Sequence, residues 1–470
     1  MAVSDIQLEF TNALAERVGP AHGLARSELQ GSSDKLKDII AAVESERKQG
    51  KHRYRDLPAD GKMVAAVNQA VRARAGKYEN LVVLGIGGSA LGNIALQGAL
   101  NPPFYNMLPA ASRRGPRLYV MDNVDPVQFS ALMDALDAGL KKTLFNVISK
   151  SGETAETAAQ FLIVRDMLSE KLGAKRMREQ MLVTTDPAHG TMREIVDDVG
   201  YDALPVPDGV GGRFSVLSAV GLFSAAMCGI NIKKLLAGAA EMSERAANKS
   251  PSKNPAAMLA LLLYEFYSRG KRTHVMMPYS SQLRDLADWY RQLWAESLGK
   301  MNALDGRQVG IGPTPIMALG ATDQHSQVQL YREGPNDKVF IFLEVEKFSK
   351  DVKIPRNAGT PKPLKYLQGA SLGKLLNAEK KATDFALVES RRPCLTIRFP
   401  KIDEHTVGQF ILLWEAATTI AGALFGIDPY DQPAVQRGKI LTFALMGNAD
   451  YSDERDRLEK AMSSVRGAVV

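Results

Sequence analysis

The pattern of apolar and polar positions changes character near residue 60. Before it, Leu8, Phe10 and Leu14, and then Leu36, Ile39, Ile40 and Val43, recur at helical spacing and predict helices through residues 1–60. After it, short apolar runs rich in Val, Ile and Leu alternate with longer amphipathic stretches. The runs fall at 80–87, 117–123, 143–149 and 180–186, separated by helical patterns such as ALGNIALQGAL and TAETAAQFLIVRDMLSEKL. Unbroken apolar strands joined through helices predict a parallel sheet covered on both faces. The alternation pauses over 231–255, where a charged helical stretch runs into the cluster NKSPSKNPA, a candidate boundary. It resumes with strands at 272–278, 339–345 and 394–399. The pattern thus predicts an α/β protein of two tandem sandwiches with parallel sheets. The units are a helical segment over 1–60, a first sandwich over 61–250, a second over 251–449 and a C-terminal helix over 450–470.

Composition narrows the class. At 470 residues, with 45% hydrophobic and 24% charged residues, the chain is neither disordered nor a single small core. The net charge of +7 is a mild excess that favours an anionic substrate and falls short of a nucleic-acid surface. The densest basic stretch (Arg47, Lys48, Lys51, Arg53 and Arg55) is interleaved with Glu44, Glu46 and Asp56, as on a solvated helix end. Two distant cysteines, Cys228 and Cys394, supply neither a disulfide framework nor a zinc spacing. The first residues read as an amphipathic helix and not as a signal peptide. The longest apolar candidate, from Ala256, has the length of a core helix and not of a membrane span. A cytoplasmic protein is expected.

Two strand–helix junctions look built for phosphate. Gly85, Gly87, Gly88 and Ser89 follow a strand, where backbone N–H groups can converge on an anion at a helix start. Gly85, Gly87 and Ala90 also fit a dinucleotide fingerprint, but the acid it needs about 20 residues on is missing. The nearest is Asp122, 37 residues beyond Gly85. The second junction places Ser149, Ser151, Thr154 and Thr157 within nine residues, with Lys150 and Gly152 among them. A helix cap accounts for one or two hydroxyls; four suggest a cup for phosphate oxygens. Neither loop has the G-K-[ST] of a nucleotide P-loop, so a small phosphorylated metabolite is the expected ligand.

Certain charges sit where structure alone would not put them. Arg213 lies between a Gly-rich loop and an apolar helix expected to start near Ser215, where a cation opposes the helix dipole. Residues 280–299 predict an amphipathic helix with Leu283, Leu286, Tyr290, Leu293 and Trp294 as its apolar stripe, stopping at Gly299. Gln292 and Glu296, four apart, share another face. A carboxylate in the last turn meets the negative helix end, which favours its protonated form and suits a general base. His325 reads as lying just inside a helix capped by Thr322 or Asp323, a setting that favours the neutral imidazole. His22, His52 and His405 read as surface residues, His189 as a loop residue and His274 as a strand residue. Gln432 and Lys439 flank Pro433 and Ala434 at the expected first turns of another helix.

Six motifs in order, LGIGGSALG, ISKSGET, GGRFSVLS, QLWAESLGK, ATDQHSQVQL and DPYDQPAVQRGK, resemble those of the phosphoglucose isomerase family from about residue 60 to 445. The resemblance implies two sugar-isomerase (SIS) domains, a homodimer, and no metal or organic cofactor. It implies reversible aldose–ketose isomerisation of glucose 6-phosphate and fructose 6-phosphate in glycolysis and gluconeogenesis. Glu296 matches the base, Arg213 the cation that stabilises the enediolate, and His325 and Lys439 the ring-opening pair, with His325 shared across the dimer. Ser89, Ser149, Ser151 and Thr154 match the phosphate cup, with Lys150 beside them. Gly88, Gly212 and Gln432 match substrate contacts, with Gln292 as a neighbour. The chain departs from the family pattern at Glu153, Ala155, Ala434 and Gln436. Isomerisation of another sugar phosphate, such as mannose 6-phosphate, would use the same machinery. A non-catalytic sugar-phosphate sensor would have no reason to hold all four chemical groups together.

Overall fold

The computed structural model describes residues 5–464 and Gly467. Residues 1–4 and the last residues of the helix expected over 450–470 lie outside the described residues. Among the described residues, twelve strands form two five-stranded sheets and a two-stranded ribbon. The strands are β1 (Gln7–Glu9), β2 (Asn80–Leu84), β3 (Arg117–Met121), β4 (Thr143–Ile148), β5 (Met181–Thr185), β6 (Asp202–Pro205), β7 (Thr273–Pro278), β8 (Lys300–Asn302), β9 (Gln308–Ile311), β10 (Thr314–Met317), β11 (Lys338–Lys347) and β12 (Cys394–Lys401).

The first sheet runs β3-β2-β4-β5-β6 and is parallel throughout. Successive strand side chains alternate between faces. Leu81 and Val83 therefore join one core while Val82 and Leu84 join the other. All four are fully buried, which is why the run is apolar without a break. The second sheet runs β1-β12-β11-β7-β10, parallel except for β1. One continuous apolar core reaches from Leu81 and Leu144 of the first sheet to Ile341 and Ile397 of the second.

The N-terminal expectation needs correcting. The first described residues form β1, antiparallel to β12, then the 3-10 turn Thr11–Ala13 and the short helix Ala15–Val18. Leu8 and Phe10 pack against the core at a spacing of two, the strand period, which helical spacing also tolerates. The Ile6 amide donating to Gln409 Oε1 (3.0 Å) and the Arg398–Glu9 ion pair (2.6 Å) hold this edge. Further on, helix Ser33–Lys48 forms as its spacing predicts, burying Leu36, Ile40 and Val43. Arg55 is not on a solvated helix end. Its guanidinium is buried, paired with Glu44 and donating to Ser243 O at 2.5 Å. His52 is likewise buried, between the Tyr430 hydroxyl (2.6 Å) and Glu46 (2.9 Å).

The longest apolar helix is Glu404–Phe425, not the one near Ala256. By length and composition it could cross a bilayer, but 94% of its most apolar window is buried inside the protein. Helices Ile232–Ala246, Pro255–Ser268 and Arg284–Leu298 pack around it. It is the central pillar of the helical packing.

Candidate active site

Both sheets reverse their strand order beside one central strand. In the first sheet β3 and β4 flank β2, so the crevice opens between the loops that follow β2 and β4. Ligands in open parallel sheets bind at such switch points. These are the two loops that the sequence marks for phosphate. After β2 the chain makes a 3-10 turn, Gly87–Ser89, and then enters helix Leu91–Leu100. After β4 it passes Ser149 to Thr154 and enters helix Ala155–Glu179.

The hydroxyls of the second loop divide by task. Ser149 Oγ accepts from the Gly152 amide (3.0 Å) and Ser151 Oγ from the Glu153 amide (3.2 Å), which shape the turn. Thr154 stands at the N-cap position of the long helix, yet its side chain caps nothing. The helix's first N–H groups and this hydroxyl are left for something else to satisfy. Thr154, Glu153 and Lys439 line a cavity of about 260 Å³ between this helix start and helix Ala434–Leu445. Pro433 stands at the N-cap of the latter helix, one residue before the position the sequence suggests.

The loop after β2 also meets the Arg213 loop, backbone to backbone. A Cβ on Gly88 would lie 2.3 Å from the carbonyl of Gly212, so only glycine fits there. Arg213 sits in the 3-10 turn Gly212–Phe214, and the helix behind it begins at Ala219, capped by Ser218 Oγ accepting from the Val220 amide (3.2 Å). The dipole of a helix starting near Ser215 therefore does not act on Arg213. What surrounds it instead is a cage of acceptors. Nε donates to Ser297 Oγ (3.0 Å) and Nη1 to Gln432 Oε1 (2.8 Å). Nη2 faces the carbonyls of Pro429 (3.0 Å), Tyr430 (3.2 Å) and Asp431 (3.4 Å). Burial, with only 6% of the side chain exposed, pulls the guanidinium below its ordinary range, and the adjoining Glu296 carboxylate opposes that.

Glu296 Oε1 lies 3.0 Å from Arg213 Nη1. Its other oxygen accepts from Gln292 Nε2 (3.1 Å), as the four-residue spacing on one helix face predicts. That helix is Arg284–Leu298, entered through the 3-10 turn Ser281–Leu283 and stopped at Gly299. The structure thus joins Gly88, Gly212, Arg213, Gln292, Glu296 and Gln432 in one cleft. Ser89 and Ser149, with Lys150, Ser151 and Thr154, stand on the two adjoining loops.

The other two chemical groups stand apart. Lys439 is on the Thr154 cavity, with no contact to Glu296. His325 is exposed, closing the 3-10 turn Thr322–Gln324, and helix Val328–Glu333 starts only beyond it. The expected helix N-terminus is therefore not there to act on the ring. Among the described residues, the His325 side chain has no hydrogen bond or ion pair within the chain.

Lys300 is a site residue that the sequence does not single out. Its buried Nζ donates to Glu296 O (3.2 Å) and Asp431 O (2.7 Å) and pairs with Asp431 Oδ1 (3.0 Å). The available signal is a lysine directly after a helix-ending glycine, where a cation meets free carbonyls.

A carboxylate 3.0 Å from a buried guanidinium, beside two Gly- and hydroxyl-bearing loops at a sheet's switch point, is an α/β-enzyme arrangement suited to acid–base chemistry on a small anionic molecule. The chain belongs to the phosphoglucose isomerase family, whose pattern it matches over residues 52–464. It is 42% identical over 467 residues to the glucose-6-phosphate isomerase of Carboxydothermus hydrogenoformans, covering 98% of this chain and 99% of that one. It is 42% identical over 451 residues to the enzyme of the same name from Rubrobacter xylanophilus, covering 96% and 100%. Among solved structures, a hypothetical protein of Thermus thermophilus superposes with a TM-score of 0.84 at 34% identity, covering 94% of this chain and 100% of that one. A glucose-6-phosphate isomerase of Chlamydia trachomatis shares the fold with a TM-score of 0.80 at 20% identity, covering 98% and 92%.

Proposed function

We propose that this protein interconverts glucose 6-phosphate and fructose 6-phosphate through an enediolate, as a cytoplasmic homodimer working without a metal or organic cofactor. The observation that carries this is the Glu296–Arg213 pair at 3.0 Å, set beside the phosphate-type loops. Ser89, Ser149, Ser151 and Thr154 hold the phosphate, with Lys150 at the rim. Gly88, Gly212, Gln292 and Gln432 border the sugar. Glu296 takes the proton from carbon 2 of the open-chain aldose, so the carboxylate becomes neutral and the carbon 1 oxygen becomes negative. When the proton returns to carbon 1, the carbon 2 hydroxyl proton passes to the carbon 1 oxygen and carbon 2 becomes the carbonyl. The guanidinium charge that faces Glu296 in the resting site then faces the oxyanion, so the cleft holds the same net charge before and after proton transfer. Arg213 needs no reorganisation for this, because Ser297, Gln432 and three carbonyls already fix its plane.

Ring opening requires a second acid–base system, and His325 with Lys439 supplies it. The exposed, unpartnered ring of His325 suits a group offered to a second copy of the chain, whose cleft it would complete. In this reading the halves 61–250 and 251–449 each provide one wall of the cleft, flanked by segments 1–60 and 450–470. A coupled assay converting fructose 6-phosphate to glucose 6-phosphate in the presence of EDTA tests the proposal. Activity is expected in the wild type and none in Glu296→Gln, which should still bind substrate. Turnover in Glu296→Gln above about a tenth of wild type refutes the assignment of the base.

A further inference from the structure

Helices Ile232–Ala246 and Glu404–Phe425 cross through their glycines. A Cβ on Gly238 would stand 1.9 Å from His405 O, and one on Gly408 1.9 Å from Leu235 O. So close a crossing brings Glu241, one turn beyond Gly238, against the His405 ring. His405 Nε2 and Glu241 Oε2 are 3.1 Å apart. A third segment arrives at the same point, because Gln409 accepts from the Ile6 amide (3.0 Å) and donates to Asp5 Oδ1 (3.1 Å). Asp5 and Glu241 hydrogen-bond to each other through their carboxyl groups. One ligand atom from each of Asp5, Glu241 and His405 lies within 4.8 Å of the other two, at a half-buried spot outside the Glu296 cleft.

We propose that Asp5, Glu241 and His405 form a binding site for a divalent transition metal, with Zn²⁺ as the ion that fits best. Two carboxylate oxygens and an imidazole nitrogen within 4.8 Å of one another offer a cation three converging donors. A set of one imidazole and two carboxylates suits zinc, whereas magnesium and calcium prefer sites made of oxygen alone. Tetrahedral zinc ligands at ~2.0–2.2 Å from the ion stand about 3.3 Å apart. The His405–Glu241 separation of 3.1 Å is close to that, and the Asp5 ligand atom lies within 4.8 Å of both. Three protein ligands leave a fourth position for water. Gln409 orients Asp5 from outside, the usual supporting contact of a metal site. The ligands come from the chain start, one helix end and one helix beginning, so the ion would pin the segment leading into β1 onto the helical pillar.

The test is titration of the chelator-stripped full chain with ZnCl₂, read by equilibrium dialysis with metal analysis. One zinc per chain should bind with a dissociation constant on the order of 1 μM or tighter. Glu241→Gln and His405→Ala should each weaken binding at least about tenfold. Asp5→Asn should do the same without touching either helix, which keeps the test sound if a helix variant fails to fold. His189→Ala, in an exposed loop, should bind zinc as the wild type does. Zinc should also slow amide exchange at residues 6–9 in the wild type and not in Asp5→Asn. Absence of stoichiometric zinc, equal displacement by magnesium, or unchanged affinity in Asp5→Asn would overturn the proposal.

Discussion

Replacing Lys300 with methionine removes a charge and three contacts while keeping the aliphatic stem. The lost contacts are two donations to carbonyls, Glu296 O at 3.2 Å and Asp431 O at 2.7 Å, and the 3.0 Å pair with Asp431 Oδ1. Charge-assisted hydrogen bonds contribute about 1.5–3 kcal/mol each. The Asp431 carboxylate is 52% exposed, so its pairing adds little once solvent screening is allowed for. Two such bonds imply a loss of about 3–6 kcal/mol in stability. The functional loss should be separable from it. Lys300 ties the backbone of Glu296 to the segment 429–432, whose carbonyls and Gln432 side chain fix Arg213. Letting the base and the guanidinium drift apart by even ~1 Å costs on the order of 100-fold in rate. Lys300→Met should therefore lower kcat about 10- to 100-fold with KM within about threefold. Steady-state kinetics in the coupled assay, run beside thermal unfolding, reads both effects. If kcat stays within about twofold of wild type while Tm falls, Lys300 is a structural tie only and the reasoning fails.

Thr154→Val should raise KM about 5- to 15-fold at nearly constant kcat, the effect of one hydrogen bond made equally in ground and transition states; steady-state kinetics checks it. His325→Ala should lose turnover of ring-closed substrate far more than of an open-chain analogue, and equal losses would sink the ring-opening role. Mixing His325→Ala chains with Glu296→Gln chains should restore activity once a tagged-chain pulldown confirms subunit exchange. Exchange without recovery would sink the shared site. Fully buried His274 accepts from Trp294 Nε1 (3.0 Å), and burial pushes its pKa down to about 3 from 6.5. Between those values the unfolded chain binds the extra proton, so stability falls as pH drops from 6.5 towards 3. At pH 4.5 this one ring should cost roughly 2–3 kcal/mol relative to pH 7. Urea unfolding at both pH values should show that increment in wild type and lose it in His274→Leu, whatever the variant's own stability.

The central strands were legible because burial on both faces leaves unbroken Val/Ile/Leu runs, as in Leu81–Leu84. Edges leave weaker marks. β6 and β10 have four residues each, include proline and are partly exposed. β1 has three, and its Leu8/Phe10 spacing serves helix and strand alike. In the site, the Gln292–Glu296 hydrogen bond followed from one helix's periodicity. The contact of Gly88 with Gly212 and the cage around Arg213 are tertiary, and no local period encodes them. His325 shows the converse failure. Thr322 and Asp323 are good caps, but the turn they begin is 3-10 and closes on His325 before the helix starts.

The acceptors around Arg213 also set an order of events during synthesis. They lie 84 and 216–219 residues downstream of the arginine. A nascent chain can complete its whole first sheet while the carbonyls of 429–431 are still unmade. Loops this long close late, and contacts of such sequence separation slow folding. A buried guanidinium with its partners absent is penalised by about 3–5 kcal/mol. The Gly212–Phe214 turn should therefore stay open on the ribosome, swinging inward only after helix Glu404–Phe425 has docked and drawn the final strap across. Competence for proton transfer is withheld until nearly the entire polypeptide is in place.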